Sequence, residues 1–366
     1  MRCGSNAAYP TGAVPCRPER SRPAPATFLH LSIPSTSMIN VGTDRIQNWI
    51  FVTGSIRSGS TFLADVLSTP LSVDYIHEPF NVRCGMPGME KRYQYIAETL
   101  ETPPMRALDH YIQHLITYDF DLRTFYSAND PAHLKAIKQL VGSRGPFFLR
   151  MAKLNMLHRH CVVKDPTSPL IARHLHTAYG FTPVIIVRHP ASLVASFERV
   201  SWWPQTQKLL EQEPFVRDYI CSDDRAHYEA RGQSPLADAC FHWLFTYRTL
   251  LSWAGALGWP VVTHEELCSQ PVAVFRRLYN TLNLPWSCLV ERKIRRRTQA
   301  SNSPEAKQGR VQDFSRDSAQ IFEMRRDSLT TEQRRIIFDI TSDVALQLYS
   351  RASFNLPGRP ARTAMQ

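Results

Sequence analysis

Trp49-Ile50-Phe51-Val52-Thr53-Gly54-Ser55-Ile56-Arg57-Ser58-Gly59-Ser60-Thr61-Phe62-Leu63-Ala64-Asp65-Val66-Leu67 runs from an apolar, β-prone segment through a turn of small residues into a helical pattern. A strand, a small-residue turn and a helix start leave backbone N–H groups at a helix N-terminus, where the helix dipole favours an anion. Ser58, Ser60 and Thr61 add hydroxyl donors, and Arg57, between Gly54 and Gly59, adds a fixed positive charge. An ordinary strand-to-helix turn with a serine N-cap accounts for glycine and serine but not for the arginine, so the loop reads as a phosphate cradle. The nucleoside-triphosphate pattern GxxxxGK[ST] is met at Gly54 and Gly59, but Ser60 stands where the lysine belongs. The later strand Val184-Ile185-Ile186-Val187 ends in Arg188 rather than in a Mg²⁺-binding aspartate, which speaks against a triphosphate–Mg²⁺ enzyme.

Outward from this loop the pattern is that of an α/β domain. Candidate strands are Trp49–Thr53, Val73–Ile76, Cys161–Val163, Val184–Val187 and Pro260–Thr263. They are short, β-branched and apolar throughout, as parallel strands covered on both faces are. Between them lie helical stretches. One carries Leu236, Cys240, Trp243, Leu244, Tyr247, Leu250, Leu251 and Ala254 on a single face, a second follows Pro271, and a third follows Thr330, whose partner in a capping box is Gln333. Alternating strands and helices predict a P-loop-type, doubly wound parallel sheet of about five strands with helices on both faces. Residues 85–150 show helical and loop-like character without a strand and read as an insertion over a substrate cleft. Residues 1–40 are rich in Pro, Ser and Arg, without the apolar core of a secretory signal, and are expected to be a disordered leader.

Composition bounds the function. The 366 residues are 43% hydrophobic and 20% charged, which excludes collagen, an acidic disordered chain and a long coiled coil. No apolar run approaches the roughly 20 residues a membrane helix needs. The net charge of +11 sits mainly in residues 1–40 and 291–335, leaving the middle of the chain nearly balanced. The run Arg292-Lys293-Ile294-Arg295-Arg296-Arg297 lacks the interleaved aromatics of a nucleic-acid surface, so no nucleic-acid partner is expected. The eight cysteines form no CxxC pair and no zinc-ligand spacing with histidine. They read as scattered reduced thiols, hence a cytoplasmic location and no metal.

With the loop and the Arg188 strand in view, the chain resembles the sulfotransferases that use 3′-phosphoadenylyl sulfate (PAPS), closest to the carbohydrate-type and bacterial members with RSGS followed about twenty residues later by Glu-Pro. The resemblance spans roughly residues 48–350, with 85–150 unmatched, and it places a sulfotransferase domain at 45–352 with a flexible tail at 353–366. It implies that Arg57, Ser58, Gly59, Ser60 and Thr61 hold the 5′-phosphosulfate. Val184 to Ser196 is similar to the family's 3′-phosphate element, which implies that Arg188 and Ser196 grip that phosphate. His189 stands where the family usually has Asp, a departure expected to matter little. Val163-Lys164-Asp165-Pro166 and Ser315-Arg316-Asp317-Ser318 are similar to bacterial members, and Arg316 is expected to close over the nucleotide.

Sulfuryl transfer to a hydroxyl needs a proton acceptor at a strand end. Ile76-His77-Glu78-Pro79 offers two. Adjacent residues of an extended chain point oppositely, so one of them is expected to face the acceptor. The resemblance selects Glu78 as base, with His77 the alternative; a structural role for Glu78, capping a helix or pairing with an arginine, stands beside it. Lys164 either touches the bridging oxygen or the acceptor, or is solvated next to the Asp165-Pro166 turn. Trp202, Trp203 and Tyr219 are either acceptor-stacking or core or lid residues, and His264-Glu265-Glu266-Leu267 resembles a stretch that the family uses to start a helix and reads as structural. The expected function is in-line, metal-free sulfuryl transfer from PAPS to a hydroxyl of a small-molecule or glycan acceptor. A P-loop kinase or NTPase, and a non-catalytic polyanion-binding protein of the same fold, are the rival readings.

Overall fold

Five strands carry the molecule: β1 (Asn48–Gly54), β2 (Val73–His77), β3 (His160–Lys164), β4 (Thr182–Val187) and β5 (Val261–Thr263). The structure is a computed structural model and describes residues 46–97, 102–127, 130–298 and 328–356. The strands lie in the order β2-β3-β1-β4-β5, every neighbouring pair parallel. The expected doubly wound sheet is therefore present, and each strand falls within a residue or two of its predicted span. The predicted spans missed the polar ends: Gly54, His77 and Lys164 all belong to strands, because ladder hydrogen bonds continue past the last apolar residue.

Alternation along the strands feeds two cores. Phe51, Ile76, Val163, Ile185 and Val187 pack on one face with the helices Pro190–Val200, Pro235–Leu257 and Thr331–Ala345. Ile50, Val52, Val162, Val184, Ile186 and Val262 pack on the other with Ser60–Leu67, Pro271–Thr281 and Cys288–Thr298. Both faces are dry, which is why the strands read as unbroken apolar runs. The long helix Pro235–Leu257 starts on Ser234, whose side chain accepts from the Ala237 N–H, and stops at Gly258 in the left-handed conformation. Thr330 and Gln333 form the expected capping box of Thr331–Ala345.

The segment between β2 and β3 holds the helices Pro103–Ile116, Ala132–Val141 and Arg144–Leu154. The first buries Leu108, Ile112 and Leu115, and the last seats Leu149 and Ala152 beneath it, with Phe148 edge-on to Tyr75 of β2 at 4.8 Å. Packing continues past residue 352, where a flexible tail was expected to begin. Phe354 is fully buried, and the Ser353 hydroxyl lies 3.0 Å from His189 Nε2; a lone aromatic in a polar tail gives little sequence signal of that docking. The leader at 1–40 and the end from 357 lie outside the described residues. Among the described residues no helix is long and apolar enough to cross a membrane.

Candidate functional site

The chain leaves β1 towards β2 on one side of the sheet and leaves β4 towards β5 on the other, so a crevice opens beyond the carboxyl ends of β1 and β4. Ligands of open α/β sheets bind at such switch points. The loop Ser55–Gly59 follows β1 there, and Arg188 follows β4.

Two glycines shape the loop. Gly54 has φ 151°, and a Cβ on it would lie 2.2 Å from the Ile186 carbonyl oxygen. Gly59 has φ 102°, and its Cβ would meet the His264 ring at 2.6 Å. Gly59 also stands at the N-cap of Ser60–Leu67, where no side chain caps the helix. The Phe62 and Leu63 N–H groups donate to the Gly59 carbonyl at 3.0 and 3.1 Å, and the N-terminus of that helix carries no side-chain cap, the arrangement in which an anion can serve as acceptor. Arg57 is left-handed at φ 67°, an unusual conformation for a long side chain and one that recurs at ligand clamps.

Arg188 closes the other side. It is 4% exposed, its Nη1 donates to the Arg57 carbonyl at 2.9 Å, and its Nε is buried with no hydrogen-bond partner. The Ser192 hydroxyl, one turn further on, is likewise buried and unpartnered. Arg57 Nε lies 3.5 Å from the Ser196 hydroxyl. Burial lowers the Arg188 pKa and Glu265 opposes it, but a guanidinium keeps its charge under such pressure. A buried cation with an unfilled donor is costly unless an anion completes it. Arg57, Arg188 and Ser196, expected from separate sequence elements, are brought together here. Ser58 in the loop and Ser60 and Thr61 in the first turn of the helix are buried, whereas Arg316 lies outside the described residues.

Sequence reasoning missed the supports. Tyr247 OH accepts from the Ser55 N–H and donates to the Ile186 carbonyl, each at 3.0 Å. Trp243 Nε1 donates to the Arg188 carbonyl at 2.9 Å. Both residues were legible only as apolar-face positions, yet a buried Tyr or Trp needs a partner for its polar tip. Glu265 accepts from the His189 N–H at 3.1 Å and from Tyr349 OH at 2.9 Å, beside the capping box of Thr263 and Glu266. The helix-start reading of that stretch holds, but Glu265 also faces the arginine. His189 accepts from the Ala191 N–H as N-cap of Pro190–Val200 and packs on Tyr349 and Phe354. Its ring is thus committed to the fold.

One strand over, β2 and β3 end side by side, with His77 in register with Lys164 and the Glu78 N–H donating to the Lys164 carbonyl at 2.8 Å. Thr53 ties this edge to β1, its hydroxyl donating to the Asp165 carbonyl at 2.7 Å. Lys164 is 1% exposed and forms an ion pair with Glu78 Oε1. The solvated alternative for Lys164 is thereby corrected: a strand end in a two-sided sheet is covered. Asn81 Nδ2 donates to the other Glu78 oxygen at 2.6 Å. The expected opposition of His77 and Glu78 is also corrected. Glu78 is left-handed at φ 52°, extended alternation stops at His77, and His77 Nε2 lies 3.8 Å from Glu78 Oε1. His77 Nδ1 lies 2.7 Å from Tyr75 OH. Asp165 braces the turn, accepting from the Phe80 and Thr167 N–H groups and the Thr167 hydroxyl.

Burial pushes Glu78 up, but Lys164 and His77 pull harder and hold its carboxyl down at about 2. Burial and the Lys164 charge lower His77 to about 3. At neutral pH the group is therefore a carboxylate–ammonium pair beside a neutral imidazole. The ammonium can follow an anion, and the carboxylate can take a proton. Tyr219 accepts from Trp253 Nε1 at 2.6 Å and stacks with Phe215, which makes it a packing residue; Trp203 packs near Phe197 and Trp202 is half-exposed. Among the described residues no group of three or more His, Cys, Asp or Glu is placed to hold a metal ion.

A family model described as the sulfotransferase family matches residues 49–288, two-thirds of the chain. The chain belongs to the sulfotransferase family. Solved structures similar to it include the sulfotransferase domain from the curacin biosynthetic pathway, 19% identical over 86% of this chain and 100% of that one, with a TM-score of 0.42. Sulfotransferase STF9 from Mycobacterium avium is 13% identical over 83% of this chain and 78% of its own, at a TM-score of 0.38. Mouse sulfotransferase SULT7A1, solved with PAP, is 11% identical over 84% and 87%, at a TM-score of 0.38. No curated protein matches the chain.

Proposed function

We propose that this sulfotransferase takes its sulfuryl group from PAPS and transfers it in line to an acceptor hydroxyl, of a sugar, lipid or other small metabolite. The observation that carries the reading is the buried Arg188 guanidinium, with one unfilled donor and one donor on the Arg57 carbonyl, at the switch point of the sheet. In this reading Arg57, Ser58, Gly59, Ser60 and Thr61 hold the 5′-phosphosulfate against the helix N-terminus. Arg188 and Ser196 hold the 3′-phosphate, and Arg316 adds a further cation. Lys164 meets the charge that grows on the bridging oxygen as the S–O bond breaks. As it moves to that oxygen, Glu78 is released to accept the proton of the attacking hydroxyl, with His77 the alternative base. No step calls for a metal. The scattered cysteines, without pairing or zinc spacing, favour a reducing, cytoplasmic setting.

The test is calorimetric titration with adenosine 3′,5′-bisphosphate in a chelator, beside ATP with Mg²⁺. Micromolar binding of the bisphosphate is expected, weakened roughly 10- to 100-fold in Arg188→Ala, as loss of charge-assisted hydrogen bonds implies. Preference for ATP with Mg²⁺ would move the chain to the kinase reading. Bisphosphate binding without sulfuryl transfer to any acceptor would leave a non-catalytic polyanion binder.

A further inference from the structure

The helices Ala132–Val141 and Arg144–Leu154 carry apolar side chains on the outside. Ala132–Val141 buries no residue at all. Arg144–Leu154 turns Leu149 and Ala152 inward, while Phe147, Met151 and Leu154, spaced four and three apart, form a second stripe facing out. Leu140, Leu154 and Met156 are 80%, 76% and 82% exposed, and Ile137, Phe147 and Met151 are about half exposed. None of the six packs into either core. Arg150 Nη1 donates to the Leu140 carbonyl at 3.3 Å, which sets the end of Ala132–Val141 beside Arg144–Leu154, and Met156 follows two residues after that helix. Isolated exposed apolar residues are ordinary, but a cluster on adjoining helices marks an interaction site.

The charge of the same stretch selects the partner. Residues 131–160 contain Lys135, Lys138, Arg144, Arg150, Lys153 and Arg159 and no acidic residue. Lys138 pairs with Asp130 and Lys153 lies 3.8 Å from Asp121, both just outside the stretch, and the surface keeps a cationic excess. A second copy of this chain would bring the same cations face to face, which disfavours self-association through it. The core of a protein interface is depleted in lysine, whereas here lysine and arginine alternate with Leu, Met and Phe along two short helices. That mixture matches one environment that is anionic and apolar within a few ångströms of depth, the headgroup boundary of a charged bilayer.

We propose that residues 130–157 form a peripheral docking surface for an anionic lipid bilayer. Phe147, Met151, Leu154, Leu140 and Met156 enter the headgroup boundary, and Lys135 and Arg150 meet the lipid phosphates and carboxylates. The proposal does not depend on the donor or acceptor of the transfer reaction.

The full chain is floated through a density gradient with vesicles of phosphatidylcholine and phosphatidylserine mixed about three to one, and with phosphatidylcholine alone. Flotation is expected with the mixed vesicles, at least roughly 10-fold weaker with the neutral ones and weakened again by salt. Leu140→Glu combined with Met151→Glu is expected to reduce binding about 10-fold or more. Its unchanged thermal transition and far-ultraviolet circular dichroism show that the variant is folded. Three results would overturn the proposal: no flotation with the mixed vesicles, equal flotation of the double variant, or a wild-type dimer in sedimentation that the double variant splits.

Discussion

Glu78 and His77, the two candidate proton acceptors, sit 3.8 Å apart. Both are displaced far from neutrality, Glu78 to about 2 and His77 to about 3, so neither changes charge between pH 5 and 8. The acid side of kcat/KM is expected to be flat across that range. A limb centred near 6.5 that disappears in His77→Asn would hand the base role to histidine. Glu78→Gln is expected to lower kcat by roughly 10²- to 10⁴-fold, the usual worth of a positioned base, with bisphosphate affinity nearly unchanged. Turnover retained in that variant and lost in His77→Ala would reverse the assignment.

At the scale of the element, the loop after β1 is held by backbone as much as by side chains. Gly54→Ala puts a methyl carbon 2.2 Å from the Ile186 carbonyl and should destabilise the fold by roughly 3 kcal/mol. Denaturant titration checks this, and a wild-type midpoint would show that β1 and β4 can part at no cost. Arg57, at φ 67°, permits a cleaner separation of shape from charge. Arg57→Gly and Arg57→Ala both remove the guanidinium, but only glycine is at ease at that angle. The glycine variant should be the more stable by about 1 kcal/mol, while both lose bisphosphate binding. The five strands and the small-residue loop were legible because a two-sided sheet imposes apolar runs, and close approach at positive φ imposes glycine at Gly54 and Gly59. The pairing of Lys164 with Glu78 was not legible, because it depends on β2 and β3 being neighbours, which no local pattern encodes. Tyr247 was hidden for a related reason: its partners, Ser55 and Ile186, lie far away in sequence.

At the scale of the whole molecule, burial lowers the pKa of three histidines among the described residues, His77, His160 and His242, and holds the first and the last neutral down to about pH 3. His242 is 1% exposed with both ring nitrogens unpartnered, and burial lowers it to about 3; His77 is lowered to about the same value. Both folded-state values lie below the ordinary value near 6.5, so the unfolded chain takes up protons first as pH falls. The stability they contribute is complete above about 6.5 and drains away towards 3, at about 1.4 kcal/mol per pH unit for each histidine. The thermal midpoint should therefore drop between pH 7 and 5. His242→Phe, which keeps a ring against Tyr93, should make that drop shallower, and an unchanged slope would place the acid sensitivity elsewhere.

The candidate site is also assembled from segments that are made at very different times. Arg188 meets the Arg57 carbonyl across 131 positions, and Tyr247 meets Ser55 across 192. A polypeptide leaving the ribosome exposes its glycine-rich loop early, with nothing yet synthesised to fix its shape. Only after the helix bearing Tyr247 has emerged can the contacts that hold Ser55, Ile186 and Arg188 in place all form. The proposed nucleotide affinity therefore requires a chain that extends past the helix Pro235–Leu257, and products terminated before it are expected to lack it.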